Sequence, residues 1–471
     1  MSKENRDSWS KRIRSVYDYT KKRFEGEMKA YIRMYRHEFS NLMPERLLQS
    51  DRLDVNVVFP IVKAIIPNLY FQDPKVFVTS LQSKIVKELV DENGQPIINP
   101  QTGMSIVEEY DGVESSHKFQ GQLNYNIEKS KIKNQIKSAI LDAHLGYYGA
   151  LQCGWGNEQG VASMGDGAPP SFREDISDNL CYGIRLKPWN VIVDMQDFYN
   201  PKWIAVRHTV SPLQIKNDKR LKYREQIEGQ STIETFDQEA YWRYMTKEDM
   251  KQVEYFTVFV KPSAEYPNGA FYILTDEVKE DFIYEDTWPY TAREFPIKLL
   301  YFNPDPYGGF PIPDVRYYAH HQKAKLNLRN AEYEYVQRTM PILGIDLSGI
   351  KDPDRVAKQI SNGQIPRVVT TTRNPQRVIG GVSYPSLGID FRRLEDNVDI
   401  DISRTMGIPG LVAPSSSQES SVFSLKLGGQ TEQVRQSERA DIVSDFIQSV
   451  VEFWAQLYQE FAKTDNYVLL E

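Results

Sequence analysis

The sequence predicts an α+β protein in which a mixed helical and stranded body, residues 1–310, precedes a helix, a small β segment, a second helix, a loop and a very long last helix. Three observations predict this. Asp314 to Arg338 contains no Gly or Pro, and about 25 residues of good helix formers at 1.5 Å per residue run roughly 37 Å. Val253 to Tyr284 alternates aromatic and polar residues, as an antiparallel meander does. Ile442, Val443, Phe446, Ile447, Val450, Val451, Trp454, Leu457, Tyr458 and Phe461 recur at three- and four-residue spacing, which puts them on one face of a helix. No internal repeat of solenoid length is visible.

Residues 1–80 read as helices ending in a strand at Val76–Thr79. Trp9, Ile13, Val16, Tyr17, Phe24, Met28, Tyr31, Ile32, Tyr35 and Phe39 occupy related faces of the first of them. Ile85 to Glu109 reads as an extended insertion, with turns at Asn93-Gly94 and at Pro100-Gln101-Thr102-Gly103. Residues 115–150 return to helix, and 151–194 form strands around a Gly/Pro/Asp-rich loop at Asn157 to Asn179. Gln214 to Tyr244 is charged and helical in part, and the meander follows it.

The helix beginning at Asp314 lacks a broad apolar stripe. A helix so long and polar is either solvent-bridging or braced by copies of itself. Short apolar runs follow at Met340–Ile345, Ile365–Thr371 and Arg377–Val382, punctuated by Gly and Pro. The second helix, Ile389 to Met406, is rich in acid at Asp390, Glu395, Asp396, Asp399 and Asp401. Gly407 to Ser421 is a loop by composition. Ser421 to Lys463 reads as one helix interrupted near Gly428-Gly429, since paired glycines lower helix propensity.

With 471 residues the chain is long for one core and holds two or three domains. Its 40% hydrophobic, 26% charged and 12% aromatic content is that of a folded protein and argues against disorder. No apolar run reaches the ~20 residues of a membrane span, and the polar N-terminus lacks a signal-peptide core, so no membrane partner and a cytoplasmic setting are expected. Cys153 and Cys181 are expected as reduced, half-buried thiols flanking a loop. The net charge of −7 is uneven. Residues 1–40 carry eleven Lys/Arg and six Asp/Glu, which leaves −12 for the rest. The basic segment reads as the solvated face of a packing helix rather than a DNA-contact surface.

Catalytic and cofactor motifs are missing. No G-x-x-x-x-G-K-[ST] phosphate loop is present, and Gly154-Trp155-Gly156-Asn157-Glu158-Gln159-Gly160 has the wrong spacing for a dinucleotide fingerprint. His320-His321 point about 100° apart on a helix, and Asp399 and Asp401 do not face each other at i, i+2. No cofactor, metal or catalytic group is expected.

The order of parts resembles the portal proteins of tailed bacteriophages, head-to-tail connector rings built from a stem helix, a small β-containing clip, a second stem helix, a tunnel loop and a long kinked wing helix. Tyr301-Phe302-Asn303-Pro304-Asp305-Pro306-Tyr307-Gly308-Gly309 is similar to the portal lead into the first stem helix. Upstream, Val55-Asn56-Val57-Val58, Asp73-Pro74-Lys75-Val76-Phe77-Val78, Ile140 to Trp155 and Pro188-Trp189-Asn190-Val191-Ile192-Val193-Asp194 sit where portal wings carry similar patterns. The resemblance covers nearly the whole chain and implies a wing at 1–310, a first stem helix at 311–338, a clip at 339–388, a second stem helix at 389–406, a tunnel loop at 407–421, and a long wing helix with a short crown at 422–471.

The resemblance further implies a homo-oligomer of about twelve subunits with cyclic symmetry, set at one vertex of a capsid and assembled in the host cytoplasm. It would conduct double-stranded DNA in packaging and ejection, and meet terminase, a tail adaptor, and the major capsid and scaffolding proteins. The tunnel loop would touch the duplex through Ile408, Leu411, Val412, Ser415, Ser416, Ser417 and Gln418. It carries no Lys or Arg and so should not grip phosphate. Lys323, Lys325, Arg329, Glu395 and Asp399 are the candidates for the stem lumen, where the bases would make transient phosphate contacts and the acids discourage tight binding. Arg367, Arg373 and Arg377 would contact partners from the clip. The alternative is a phage enzyme processing nucleic acid or carbohydrate, motivated by 28 Tyr, 7 Trp and abundant carboxylates; a third reading is another connector or adaptor.

Overall fold

The computed structural model describes residues 3–39, 53–70, 74–80, 84–88, 107–155, 181–218, 220–229, 251–307, 309–339, 342–345, 352, 354–355, 379–382, 390–406 and 422–461. The chain divides into two compact units, the first made of Met1–Arg36, Phe59–Tyr317 and Gly429–Glu471, the second of His37–Val58 and Tyr318–Gly428. The class is α+β, with helices beside antiparallel sheets.

The first unit begins with α1 (Lys3–Arg23), a π-helical turn (Phe24–Met28) and α2 (Lys29–Tyr35). The π turn shifts the phase of the apolar face. Before it, Trp9, Ile13 and Tyr17 pack with Trp203, Phe256 and Tyr272, whereas Met28 at its end joins the larger core. Several charges of the basic N-terminus are used locally. Arg6 donates to the Thr275 carbonyl at 2.7 Å, Arg14 lies 2.6 Å from Glu254, and Arg207 pairs with the same Glu254. Burial opposes ionisation of Glu254, but Arg207 and Arg14 overcome it and lower its pKa.

Next come α3 (Val58–Leu69), the antiparallel hairpin β1 (Lys84–Glu88) and β2 (Val107–Asp111), and the helices α4 (Gly112–Lys129) and α5 (Ile132–Leu145). The two strands bracket the expected insertion at Ile85 to Glu109. The expected strand at Val76–Thr79 is not a strand. It is extended, but the backbone of Val76 and Val78 bonds to the side chains of Asn124 and Gln120 on α4 at 2.9 and 3.1 Å. Helix amides thus take the place of a neighbouring strand.

Two sheets form the centre of this unit. Strands β3 (Gly149–Trp155) and β4 (Cys181–Leu186) pair antiparallel, and the later strand β10 (Ile297–Leu300) adds on the other side of β3. The second sheet has sequential order: β5 (Val191–Val193), β6 (Trp203–Val210), β7 (Val253–Val260), β8 (Ala270–Thr275) and β9 (Tyr284–Asp286). It contains the meander expected from the aromatic alternation. The short helix α6 (Pro212–Asn217) follows β6, and β10 spans Ile297–Leu300. The loop read at Asn157 to Asn179 lies outside the described residues, as do residues 230–250.

Helix α5 packs closely on β3, and Gly149 is what permits it. A Cβ on Gly149 would sit 2.1 Å from the Ala139 carbonyl oxygen, a backbone atom that cannot swing aside. Gly149→Ala is therefore expected to cost about 1–3 kcal/mol by forcing α5 away from the sheet. Chemical denaturation reads this directly, and an unchanged midpoint would refute the close approach.

Cys153 and Cys181 are both free thiols, as expected, but they are fully rather than half buried. They lie on neighbouring strands under the last helix, where burial pushes the Cys153 thiol up to about 12 and raises Cys181 as well.

The expected first polar helix is α7 (Asp314–Thr339). In the second unit β11 (Ile342–Ile345) pairs antiparallel with β12 (Ile379–Val382), which are the ends of the first and third apolar runs; the middle run lies outside the described residues. Helix α8 (Phe391–Met406) follows, with the Asp390 carboxylate accepting from the Arg393 N–H at 3.1 Å as its N-cap.

The last helix, α9, runs from Val422 to Phe461. It passes through Gly428-Gly429 without the expected interruption. Each glycine costs only about 1 kcal/mol relative to Ala, and the polar helix formers after them sustain the hydrogen-bonded ladder. In the first unit its buried face carries Val443, Phe446, Val450, Phe453, Trp454 and Leu457.

Candidate functional site

The polar helix pair of the second unit collects the sequence-predicted charges that the structure describes. Lys325 on α7 lies 2.5 Å from Asp399 on α8, and Arg329, one turn on, lies 2.7 Å from Glu395. Residue numbers rise on one helix as they fall on the other, so the helices are antiparallel, and Tyr335 meets Phe391 further along at 6.0 Å between ring centroids. Glu395, Asp399, Ile402 and Met406 form the buried face of α8.

Four of the five stem candidates are therefore engaged with one another. Burial raises the Glu395 pKa, with the nearby Arg329 guanidinium opposing the rise. Such pairs are held by their mutual compensation rather than by net stabilisation. Lys325, Arg329, Glu395 and Asp399 thus pair with one another within the chain, an arrangement that spacing could not supply. Lys323 stands apart, exposed on α7.

A second feature of α7 was not read from the sequence. Gln322 accepts from the Val57 N–H and donates to the Val55 carbonyl, each at 2.6 Å, while Asn330 does both to Leu53 at 3.1 Å. Two amides eight residues apart thus grip an extended segment of the same unit as a β-strand would. Their spacing on one helical face was the available signal; the identity of the segment held was not.

In the first unit the start of α7 is fixed by a buried charge node. Asp314 is 1% exposed. His144 Nδ1 lies 2.7 Å from its Oδ2, while Asn303 Nδ2 and Arg439 Nη2 donate to its Oδ1 at 2.8 and 3.2 Å. Burial alone would raise this carboxyl, but His144, Arg439 and Asn303 overcome it and hold the pKa at about 2. The first helical turn also favours a negative charge through its free N–H groups.

The other candidates gain no chemistry. His320 is exposed, His321 is half-buried, and no group of three or more metal-ligating side chains occurs among the described residues. A cleft of about 370 Å³ is bordered by Trp9, Arg12, Asp194, Lys202, Trp203 and Tyr266. Both tryptophans are buried and the Arg12 guanidinium covers the Trp9 ring at 4.8 Å, so neither tryptophan offers an open stacking face there. Ile408, Leu411, Val412, Ser415, Ser416, Ser417 and Gln418, expected in a tunnel loop, and Arg367, Arg373 and Arg377, expected in a clip, lie outside the described residues. No described helix is long and apolar enough to cross a membrane.

A scan of family models finds no match to this chain, and a comparison with curated proteins also finds none.

Proposed function

We propose that this chain is the subunit of a portal-like ring, a conduit for double-stranded DNA at a capsid vertex and a docking site for terminase and a tail adaptor. The observation that carries the reading is the antiparallel polar helix pair, α7 and α8, with the β11–β12 pair inserted between them in sequence and a 40-residue helix after them. That order of parts suits a stem, a clip and a wing helix. It does not suit an enzyme cleft.

The charge pairing supports the same reading. A duplex gripped by many free Lys and Arg would be held by counterion release. A conduit must let it slide, and Lys325 and Arg329 are each matched by a carboxylate of α8. Tyr and Trp, which motivated an enzyme alternative, include many residues of the packed core of the first unit. Negative-stain electron microscopy with mass photometry of the purified chain tests the proposal: closed rings of about twelve copies are expected. A persistent monomer without rings would overturn it.

A further inference from the structure

We infer that residues 74–80 offer an open strand edge in the first unit, and that the acidic strand β2 of a neighbouring copy pairs with it. The ring reading supplies that neighbour, and the backbone supplies the contact. In an extended chain the N–H and C=O groups of successive residues point to opposite edges. The edge of Val76 and Val78 is already used. Asn124 accepts from the Val76 N–H at 2.9 Å and donates to the Val76 carbonyl at 3.0 Å, and Gln120 accepts from the Val78 N–H at 3.1 Å. Both valines also pack against the larger core. The opposite edge belongs to Lys75, Phe77 and Thr79, all exposed, and their backbone groups have no partner among the described residues. The Phe77 side chain is 79% exposed beside them.

Another extended backbone is what matches N–H and C=O groups at this spacing, so the occupant is a strand. Its charge is set by the edge itself. Pro74 and Lys75 blunt the edge against indiscriminate pairing. Lys75 also selects, because opposite charges directly across a strand pair stabilise it and like charges do the reverse.

Among the described strands β2 is the richest in carboxylates, with the sequence Val-Glu-Glu-Tyr-Asp. It also needs a neighbour. Strands β1 and β2 form a sheet of two among the described residues, and a two-stranded hairpin alone is marginal in water, whereas a third strand steadies it. Helix α4 begins directly after β2 and carries Gln120 and Asn124, so one helix supports both the open edge and the hairpin. Within the chain these two incomplete elements are not paired with each other. Each copy therefore has one edge to fill and one strand to give. Edge and strand differ, so the contact is heterologous and can repeat from copy to copy around a ring.

Phe77→Pro tests the edge. Proline removes the outward N–H and leaves the bonds of Val76 and Val78 to α4 in place, and the extended backbone before it is what a proline requires. About a tenfold fall in the fraction of chain in rings is expected by mass photometry, with circular dichroism unchanged. Phe77→Ala keeps the N–H and should retain most of the rings. Chemical coupling identifies the occupant. Cys153 and Cys181 are fully buried, so a chain carrying both Lys75→Cys and Glu109→Cys presents only the two new thiols to a short bismaleimide. A covalent ladder of copies is expected on a denaturing gel, and neither single variant should give one. Normal assembly of Phe77→Pro, or an equal loss in Phe77→Ala, would show that the backbone edge is not used. Coupling confined to single chains would place β2 on its own edge, and an absence of coupling would give the edge to a different partner. Each of these results overturns the proposal while the ring reading stands on the wild-type particles. A wild-type chain without rings would remove both.

Discussion

Trp454→Ala is expected to lower the unfolding free energy by about 3–5 kcal/mol, the range for deleting a fully buried large aromatic. The side chain is completely buried near the middle of the packed half of α9. Its indole N–H donates to the Tyr182 carbonyl on β4 at 3.2 Å, and its own carbonyl accepts from the Cys181 thiol at 3.7 Å. Strand β4 is the edge of its three-stranded sheet, so α9 covers an edge that would otherwise be open for pairing. Truncation therefore removes packing and a hydrogen bond that ties the last helix to that edge. Neighbouring contacts deepen the effect: Phe453 meets Tyr290 edge-on at 5.5 Å, and Tyr458 meets Trp155 at 4.8 Å. Guanidinium denaturation of the wild type and the variant measures the difference. An unchanged midpoint, with unchanged slope, would show that α9 is not held this way, whereas Trp454→Phe should recover part of the loss.

What the sequence shows of this fold follows from how local each signal is. The length and polarity of α7, the one-faced stripe of α9 and the aromatic alternation of β7 and β8 are properties of contiguous residues, and each is found where it was read. The strand expected at Val76–Thr79 fails for the opposite reason. Its extended backbone is real, but whether an extended segment becomes a strand depends on a partner, and here that partner is Asn124 and Gln120 of a helix. Gly428-Gly429 shows that propensity is outweighed by the helix on either side. The site is legible only as a list of charges. Lys325 and Asp399 stand 74 positions apart, and nothing in their local sequence announces that they neutralise each other. The node at Asp314 is harder still, because Asn303 is near in sequence but the charged partners His144 and Arg439 come from two distant segments.

Asp314 carries the other large expected effect. Removing one partner from a buried ionic cluster leaves the rest uncompensated and costs about 3–5 kcal/mol, so Asp314→Ala should destabilise the first unit severely, since Arg439 and His144 would face an empty site. Asp314→Asn keeps the shape and isolates the charge. The folded-state pKa of about 2 lies below the ordinary value of 3.8, so the carboxylate contributes stability that is fully present above the unfolded pKa and is lost as pH falls through about 2. The shift corresponds to a contribution on the order of 2 kcal/mol near neutrality. Glu254 is also held down by its arginines and adds its own acid sensitivity, so the informative quantity is the wild-type minus Asp314→Asn difference and not the wild-type curve alone. Measured by chemical denaturation from pH 6 to pH 2, that difference should be constant down to about pH 5 and then shrink steadily, because the protonated wild-type side chain increasingly resembles the amide. A difference that stays level down to pH 2 would mean that the charge of Asp314 does not hold Arg439 and the start of α7 together.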